Sequence, residues 1–262
     1  ETIQISIYVL GTLIVLALLF DFMNGFHDAA NAIATVVSTG VLKPHTAVAM
    51  AAVFNFAAIG VVGLKVASAI GKGIIDAHVV DEYVIFGALV GAIVWNVITW
   101  YYGIPSSSSH ALVGGLVGAA VAKGGTDVLI ADGLLRIVQF IVIAPLLGFV
   151  LGALIMLLVS WLFVKSTPRK VDTWFRRLQM VSAASYSLGH GGNDAQKTLG
   201  IIWMLLIAGG YLSADAKEPP NWAIVSCYAA ISIGTLFGGW RIVRTMGQKI
   251  TKLKPVGGFC AE

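Results

Sequence analysis

Five long apolar segments run along the chain, roughly over residues 5–22, 47–66, 84–100, 137–164 and 222–240. Each is close to the 20 or so residues needed to cross about 30 Å of hydrocarbon as a helix. Shorter apolar pieces lie between them, at residues 28–41, 107–122, 180–188 and 194–209. Several of these are too short to span alone, so half-helices, re-entrant hairpins or broken helices are expected. Such backbone survives at membrane depth only where protein or a wet cavity covers it. The pattern predicts an all-α polytopic membrane protein.

Two polar, aspartate-centred interruptions break this apolar pattern. The first reads Asn24-Gly25-Phe26-His27-Asp28-Ala29-Ala30-Asn31, the second His190-Gly191-Gly192-Asn193-Asp194-Ala195-Gln196-Lys197. Hydrocarbon tolerates carboxylates, imidazoles and carboxamides only where they serve a pathway or pair with one another. Interruptions at corresponding places in two halves point to a binding site at a repeat interface. Residues 180–210 would reach roughly 46 Å as straight helix, too long for one crossing and too short for two. A break at Gly191-Gly192 is therefore expected.

Composition agrees with a bilayer. The chain is 58% hydrophobic and 11% charged, against about 25% charged in soluble domains. The formal net charge of +4 then reports loop orientation rather than nucleic-acid binding. Cys227 and Cys260 are too few for a disulfide framework, and Cys227 reads as a small buried hydrophobe. No signal-peptide pattern is present, and neither the start at Glu1 nor the stop at Glu262 reads as a native end.

Two basic clusters fix the orientation. Lys165, Arg169, Lys170, Arg176 and Arg177 form one; Arg241, Arg244, Lys249, Lys252 and Lys254 form the other. The positive-inside rule puts both in the cytoplasm. A second likeness joins residues 63–74 to residues 239–250, at an offset of 176 residues against 166 from Asp28 to Asp194. Residues 63–78 carry two cations where residues 239–254 carry five, which favours inverted-topology repeats. The expected division is a first transmembrane repeat with linking helices (1–164), a basic cytoplasmic linker (165–178) and a second repeat (179–262) that reads as truncated.

Chemistry concentrates in Pro105-Ser106-Ser107-Ser108-Ser109-His110, just before an apolar piece. Proline and serine favour a helix start. A helix that begins inside the membrane offers free N–H groups and a positive dipole end to an anion. Four hydroxyls at one point exceed what a simple cap requires. Carboxylates at Asp28 and Asp194 would repel that anion unless a proton or a cation such as Na⁺ sits with them. Asn31 and Asn193, with the Gly191 and Gly192 backbone, are the expected amide ligands for the anion. Asn24, His27 and Lys197 are expected to join Asp28 and Asp194 in cation coupling. His27 and His190 read equally well as proton relays or helix–helix hydrogen bonds. Asp21 reads as interfacial, at the end of a helix, and most glycines read as close helix packing.

Together these residues resemble the inorganic phosphate transporter (PiT) family, in its bacterial low-affinity branch. The resemblance rests on NGFHDAANAIAT (residues 24–35), SLGHGGNDAQKTLG (residues 187–200) and IPSSSSH (residues 104–110), and covers essentially the whole chain. It implies secondary symport of inorganic phosphate with H⁺ or Na⁺ by alternating access, in a multi-pass protein of the bacterial inner membrane. No cofactor and no enzymatic activity are implied; the partners are phosphate, the coupling cation, the lipid bilayer and a second copy in a homodimer. His27, and Gln196-Lys197 in the second motif, resemble the proton-linked branch, in which phosphate travels as a divalent-metal complex. The family carries a second serine segment, which the repeat offsets would place at about residues 271–281, beyond Glu262.

Two other classes fit less well. A passive anion channel would not need carboxylates beside its anion site. An intramembrane serine hydrolase needs one serine activated by one histidine, and explains neither the aspartates nor the repeat.

Overall fold

The computed structural model describes residues 6–61, 63, 74–213, 216, 218–250 and 253–262. Among them the chain is helical, with one isolated bridge between Ile75 and Leu129. The helices are α1 (Ile7–Ser38), α2 (Pro44–Ala57), α3 (Glu82–Tyr102), α4 (Ser108–Gly124) and α5 (Ala131–Leu162). They continue with α6 (Pro168–Ala208), α7 (Asn221–Phe237), α8 (Trp240–Arg244) and α9 (Pro255–Ala261). Among the described residues, α1, α3 and α5 are each long and apolar enough to cross a membrane. The pair Asn221–Phe237 and Trp240–Gly247 passes the same test as one span, bent by 55° at Gly238-Gly239.

The aspartate motifs do not break their helices. α1 runs unbroken for 32 residues through Asn24–Asn31, and α6 for 41 residues through His190–Lys197. The basic segment expected as a linker is helical from Pro168, which sits in the first turn, where its missing N–H costs nothing. The reason lies in helical spacing. Asp21, Asn24 and Asp28 fall on one face of α1, as do Ser187, His190 and Asp194 on α6; Asn24 crosses to Asp194 and His190 to Asp28, while Ser187 Oγ donates back to the Ala183 carbonyl. Backbone bonds therefore remain intact. A glycine inside a helix costs only about 1 kcal/mol, which close packing offsets.

That packing also displays the repeat. A Cβ on Gly25 would lie 2.0 Å from the Ile231 carbonyl oxygen, and one on Gly191 would lie 2.5 Å from the Asn55 Cα. Gly25 and Gly191 are motif equivalents; Asn55 and Ile231 are related by the second offset. Each motif helix thus lays a glycine against the following helix of the other repeat. In lipid, where apolar burial gives helices little reason to associate, such contacts carry the packing. Of the second likeness, residues 64–73 lie outside the described residues, as do 251–252 beyond its other end. Gly63 and Gly239 can be placed: the Gly63 carbonyl accepts from Gln196 Nε2 at 2.8 Å, and Gly239 packs on the Phe26 and His27 carbonyls.

α1 and α6 run antiparallel. Arg176 Nη1 donates to the Gly40 carbonyl (3.2 Å) and Thr39 Oγ1 to Gln179 Oε1 (3.0 Å) at one end. Towards the other end, Leu10, Leu13 and Phe20 share a buried cluster with Leu199, Ile202 and Leu205. The first is called the basic end here. α3 and α4 form a hairpin whose open end is tied by Lys123 and Asp81. Its tip is the left-handed Gly103 (φ 67°), a conformation that glycine adopts without strain. α5 exposes nearly its whole length, with Val159 alone among its residues fully buried.

Candidate functional site

Where α1 and α6 cross, Asp28, His190 and Asp194 each bring one polar atom within 4.8 Å of the others. All three are buried or nearly so. His190 Nε2 stands 3.7 Å from Asp28 and 3.8 Å from Asp194, and its ring stacks on Tyr186, with the two rings 13° from parallel. Asn24 Nδ2 donates to Asp194 Oδ2 at 3.3 Å. Asp194 Oδ1 also accepts from Lys197 Nζ at 2.6 Å.

His27 Nδ1 lies 3.2 Å from Asp28 Oδ1, and its Nε2 lies 3.0 Å from Thr99 Oγ1 on α3. Thr99 Oγ1 is also 2.9 Å from the Trp95 carbonyl, one helical turn back. Two hydrogen-bond arrangements follow, and they differ in the direction of the Thr99 hydroxyl and by one proton on the His27–Asp28 pair. If Thr99 donates to His27, the imidazole proton sits on Nδ1 and is given to Asp28. If Thr99 donates to Trp95, Nε2–H must be the donor to Thr99. Nδ1 then faces Asp28 only when the pair holds one further proton.

The serine segment reaches this cluster from α4. Lys197 Nζ donates to Ser109 Oγ as well as to Asp194, so one ammonium joins the aspartate motif to the serines. Ser108 is fully buried and its hydroxyl has no hydrogen-bond partner among the described residues. Ser107 is an ordinary N-cap, its Oγ accepting the His110 N–H at 3.3 Å. Ser106 accepts from Trp95 Nε1 at 3.2 Å, away from the aspartates.

Of the residues singled out in the sequence, the fold brings together Asn24, His27, Asp28, Asp194, Lys197 and Ser109. Asn31 stands to one side, lining a cavity of about 320 Å³ with Thr35, Ser38, Tyr186 and Glu262. Asn193 is exposed; on an unbroken helix it points about 100° away from Asp194 and does not join the cluster. Gly191 serves helix packing, and the Gly192 carbonyl accepts from Gln196 Nε2 (2.7 Å) and the Tyr228 hydroxyl (3.3 Å). Amides inside a continuous helix are already bonded, so neither glycine offers a free N–H to an anion.

Asp21 is not interfacial, because α1 continues 17 residues past it; it is fully buried. Thr99 and Tyr186 were missed. A threonine or tyrosine in an apolar run carries no signal until the partner helix is known.

Buried carboxylates, imidazoles and an ammonium, set against a helix start inside a helical bundle, define a membrane protein that handles a charged solute. Residues 24–262 match the phosphate transporter family, and the chain belongs to it. A probable low-affinity inorganic phosphate transporter of Rhizobium meliloti is 61% identical over 95% of this chain and 75% of its own length. A protein of the same description from Bacillus subtilis is 47% identical, with the same coverage. A solved structure of a sodium-dependent phosphate transporter superposes with a TM-score of 0.84, at 24% identity over 97% of this chain and 81% of that one. At that identity the likeness supports the fold. The family is one of transporters, not enzymes.

Proposed function

We propose that this chain forms the phosphate and coupling-ion site of a proton–phosphate symporter that works by alternating access. Charge balance argues for the symport. The cluster holds two carboxylates and one ammonium, a net charge of −1 with neutral imidazoles, and repels phosphate. One added proton neutralises it and a second makes it attractive. Phosphate then docks on Lys197, Ser108 and Ser109 at the start of α4, where the first amides of the helix have no intrahelical partner.

The observation that carries the proton reading is the Thr99–His27–Asp28 relay, whose two arrangements differ by one proton. Asp28 is faced by two imidazoles, whereas a Na⁺ site is built from oxygen ligands. The basic end lies in the cytoplasm by the positive-inside rule. The cavity at Asn31 opens towards it, and the apolar cluster of α1, α6 and α7 closes the other side. This arrangement fits an inward-facing state in a bacterial inner membrane.

The test is phosphate uptake by the full-length protein in liposomes, under imposed proton or sodium gradients. Uptake driven by the proton gradient, and lost in Asp28→Asn, is expected. Uptake that follows sodium alone would favour the second reading, in which Asp28 and Asp194 hold Na⁺; a solved phosphate transporter of the same fold is sodium-dependent.

A further inference from the structure

Asp21 lies two helical turns from Asp28 on α1, on the side away from the basic end. It is completely buried, and among the described residues neither of its carboxylate oxygens makes a hydrogen bond. Two other orphans face it: the Asn24 side chain, whose Oδ1 is unpartnered, and the fully buried Thr198 hydroxyl on α6. The charged groups acting on it from α6 are Asp194 and Lys197. From α7, Tyr228 and Cys227 face it. Lys197 donates to Asp194 and Ser109 instead. An isolated carboxylate in such a place is costly.

The donor and acceptor count identifies what completes the group. Asn24 gives one Nδ2 hydrogen to Asp194, which leaves a second N–H, and its Oδ1 is an acceptor with no partner among the described residues. Thr198 can supply one O–H. A charged Asp21 can accept from Thr198 and from the second Asn24 N–H but supplies no donor, so Asn24 Oδ1 stays unpaired. A protonated Asp21 donates its O–H to Asn24 and accepts from Thr198, satisfying every orphan.

We propose that Asp21 is a second proton carrier of the transport cycle, distinct from the Asp28–His190–Asp194 cluster and linked to it through Asn24. With the proton on Asp21, Asn24 keeps its amide on Asp194. When the proton leaves, Asn24 Oδ1 faces an anion. The carboxamide turns its NH₂ to Asp21 and releases Asp194, so that loss of the outer proton alters the charge seen by phosphate. The inference rests on the symport reading above and adds a residue to it.

The experiment counts protons moved per phosphate in liposomes containing the full-length protein, with inorganic phosphate as substrate and a pH-sensitive dye as reporter. Wild type is compared with Asp21→Asn and Asp21→Glu. Asp21→Asn should move one proton fewer per phosphate. Each coupled proton multiplies the attainable phosphate gradient about tenfold per pH unit, so this variant should accumulate about one tenth as much at a one-unit gradient. Asp21→Glu should restore the wild-type count. Infrared difference spectra, which need no transport, should show a protonated carboxyl band that changes on adding phosphate and is missing in Asp21→Asn. An unchanged proton count and an unchanged band in Asp21→Asn would overturn this inference alone. A wild-type protein that moves no protons with phosphate would overturn both readings.

Discussion

Asn24 and His190 occupy the same position in the two repeats, and each reaches across to the other repeat's aspartate. Asn24 meets Asp194 at 3.3 Å and His190 meets Asp28 at 3.7 Å. The symmetry of the fold is thus kept in position and broken in chemistry. One crossing is a neutral amide, the other an imidazole, a group that can take up a proton.

His190 should accordingly govern the pH response, and Asn24 should not. His190→Asn removes a protonatable ring that stands 3.7 Å from Asp28 and is expected to lower proton-driven phosphate uptake. It should also flatten the uptake–pH curve. Asn24→Ala should reduce uptake while keeping the shape of that curve. A wild-type curve in His190→Asn would count against the assignment.

The serines should separate by role. Ser109→Ala removes a contact of Lys197 and should raise the phosphate KM severalfold; Ser108→Ala should do the same, through its unpartnered hydroxyl. Ser107→Ala removes the N-cap of α4 and should cost about 1 kcal/mol of stability, seen as a lower Tm with KM little changed. Equal KM effects at Ser107 and Ser109 would contradict this division.

The glycine pair gives a test of the inverted repeat that is independent of transport. Gly25→Ala and Gly191→Ala each force a methyl group into a facing backbone. Overpacking of this kind costs about 1–3 kcal/mol. Both variants should lower the melting temperature in detergent by similar amounts, whereas Gly11→Ala, with open space around it, should not.

At the open end of the hairpin, Asp81 caps α3 and pairs with Lys123. Partial burial pushes the Asp81 carboxyl up, but the Lys123 ammonium and the Val84 N–H outweigh this and hold it below the usual carboxylate range. Its contribution to stability is therefore complete above the ordinary aspartate pKa and is lost as pH falls through the lowered folded value. Asp81→Asn should cost under about 1 kcal/mol at neutral pH, because the pair is partly exposed. The difference from wild type should shrink in acid. Melting curves at several pH values will show whether the gap closes.

What the sequence disclosed was charge out of place. Asp28, Asp194 and Lys197 could be read directly, because an ion in an apolar run demands a reason. Their grouping followed from the repeat. The error lay in treating polar residues and glycines as helix breaks. A helix can carry them on one buried face if a second helix supplies the partners, and those partners are more than 150 residues away. The same error misplaced Asn193 and Asp21. It turned Asn193 towards the site when a continuous helix turns it out, and it ended α1 near Phe22, leaving Asp21 at an imagined surface. Thr99 could not be found this way, since its role depends on α3 crossing α1 at His27.

The bend at Gly238-Gly239 separates two jobs within one span. Before it, Gly234 beds α7 against the backbone of Phe22 and Phe26. After it, the Arg241 guanidinium lies over Trp100 and Tyr101 and donates to the Tyr101 carbonyl at 2.6 Å, gripping the tip of the α3–α4 hairpin. The carboxylates therefore ride on a stiff frame, while the hydroxyls ride on an arm anchored beyond a joint. Because Thr99 sits on the same hairpin as Ser108 and Ser109, a motion about that joint would move one end of the His27 relay together with the hydroxyls.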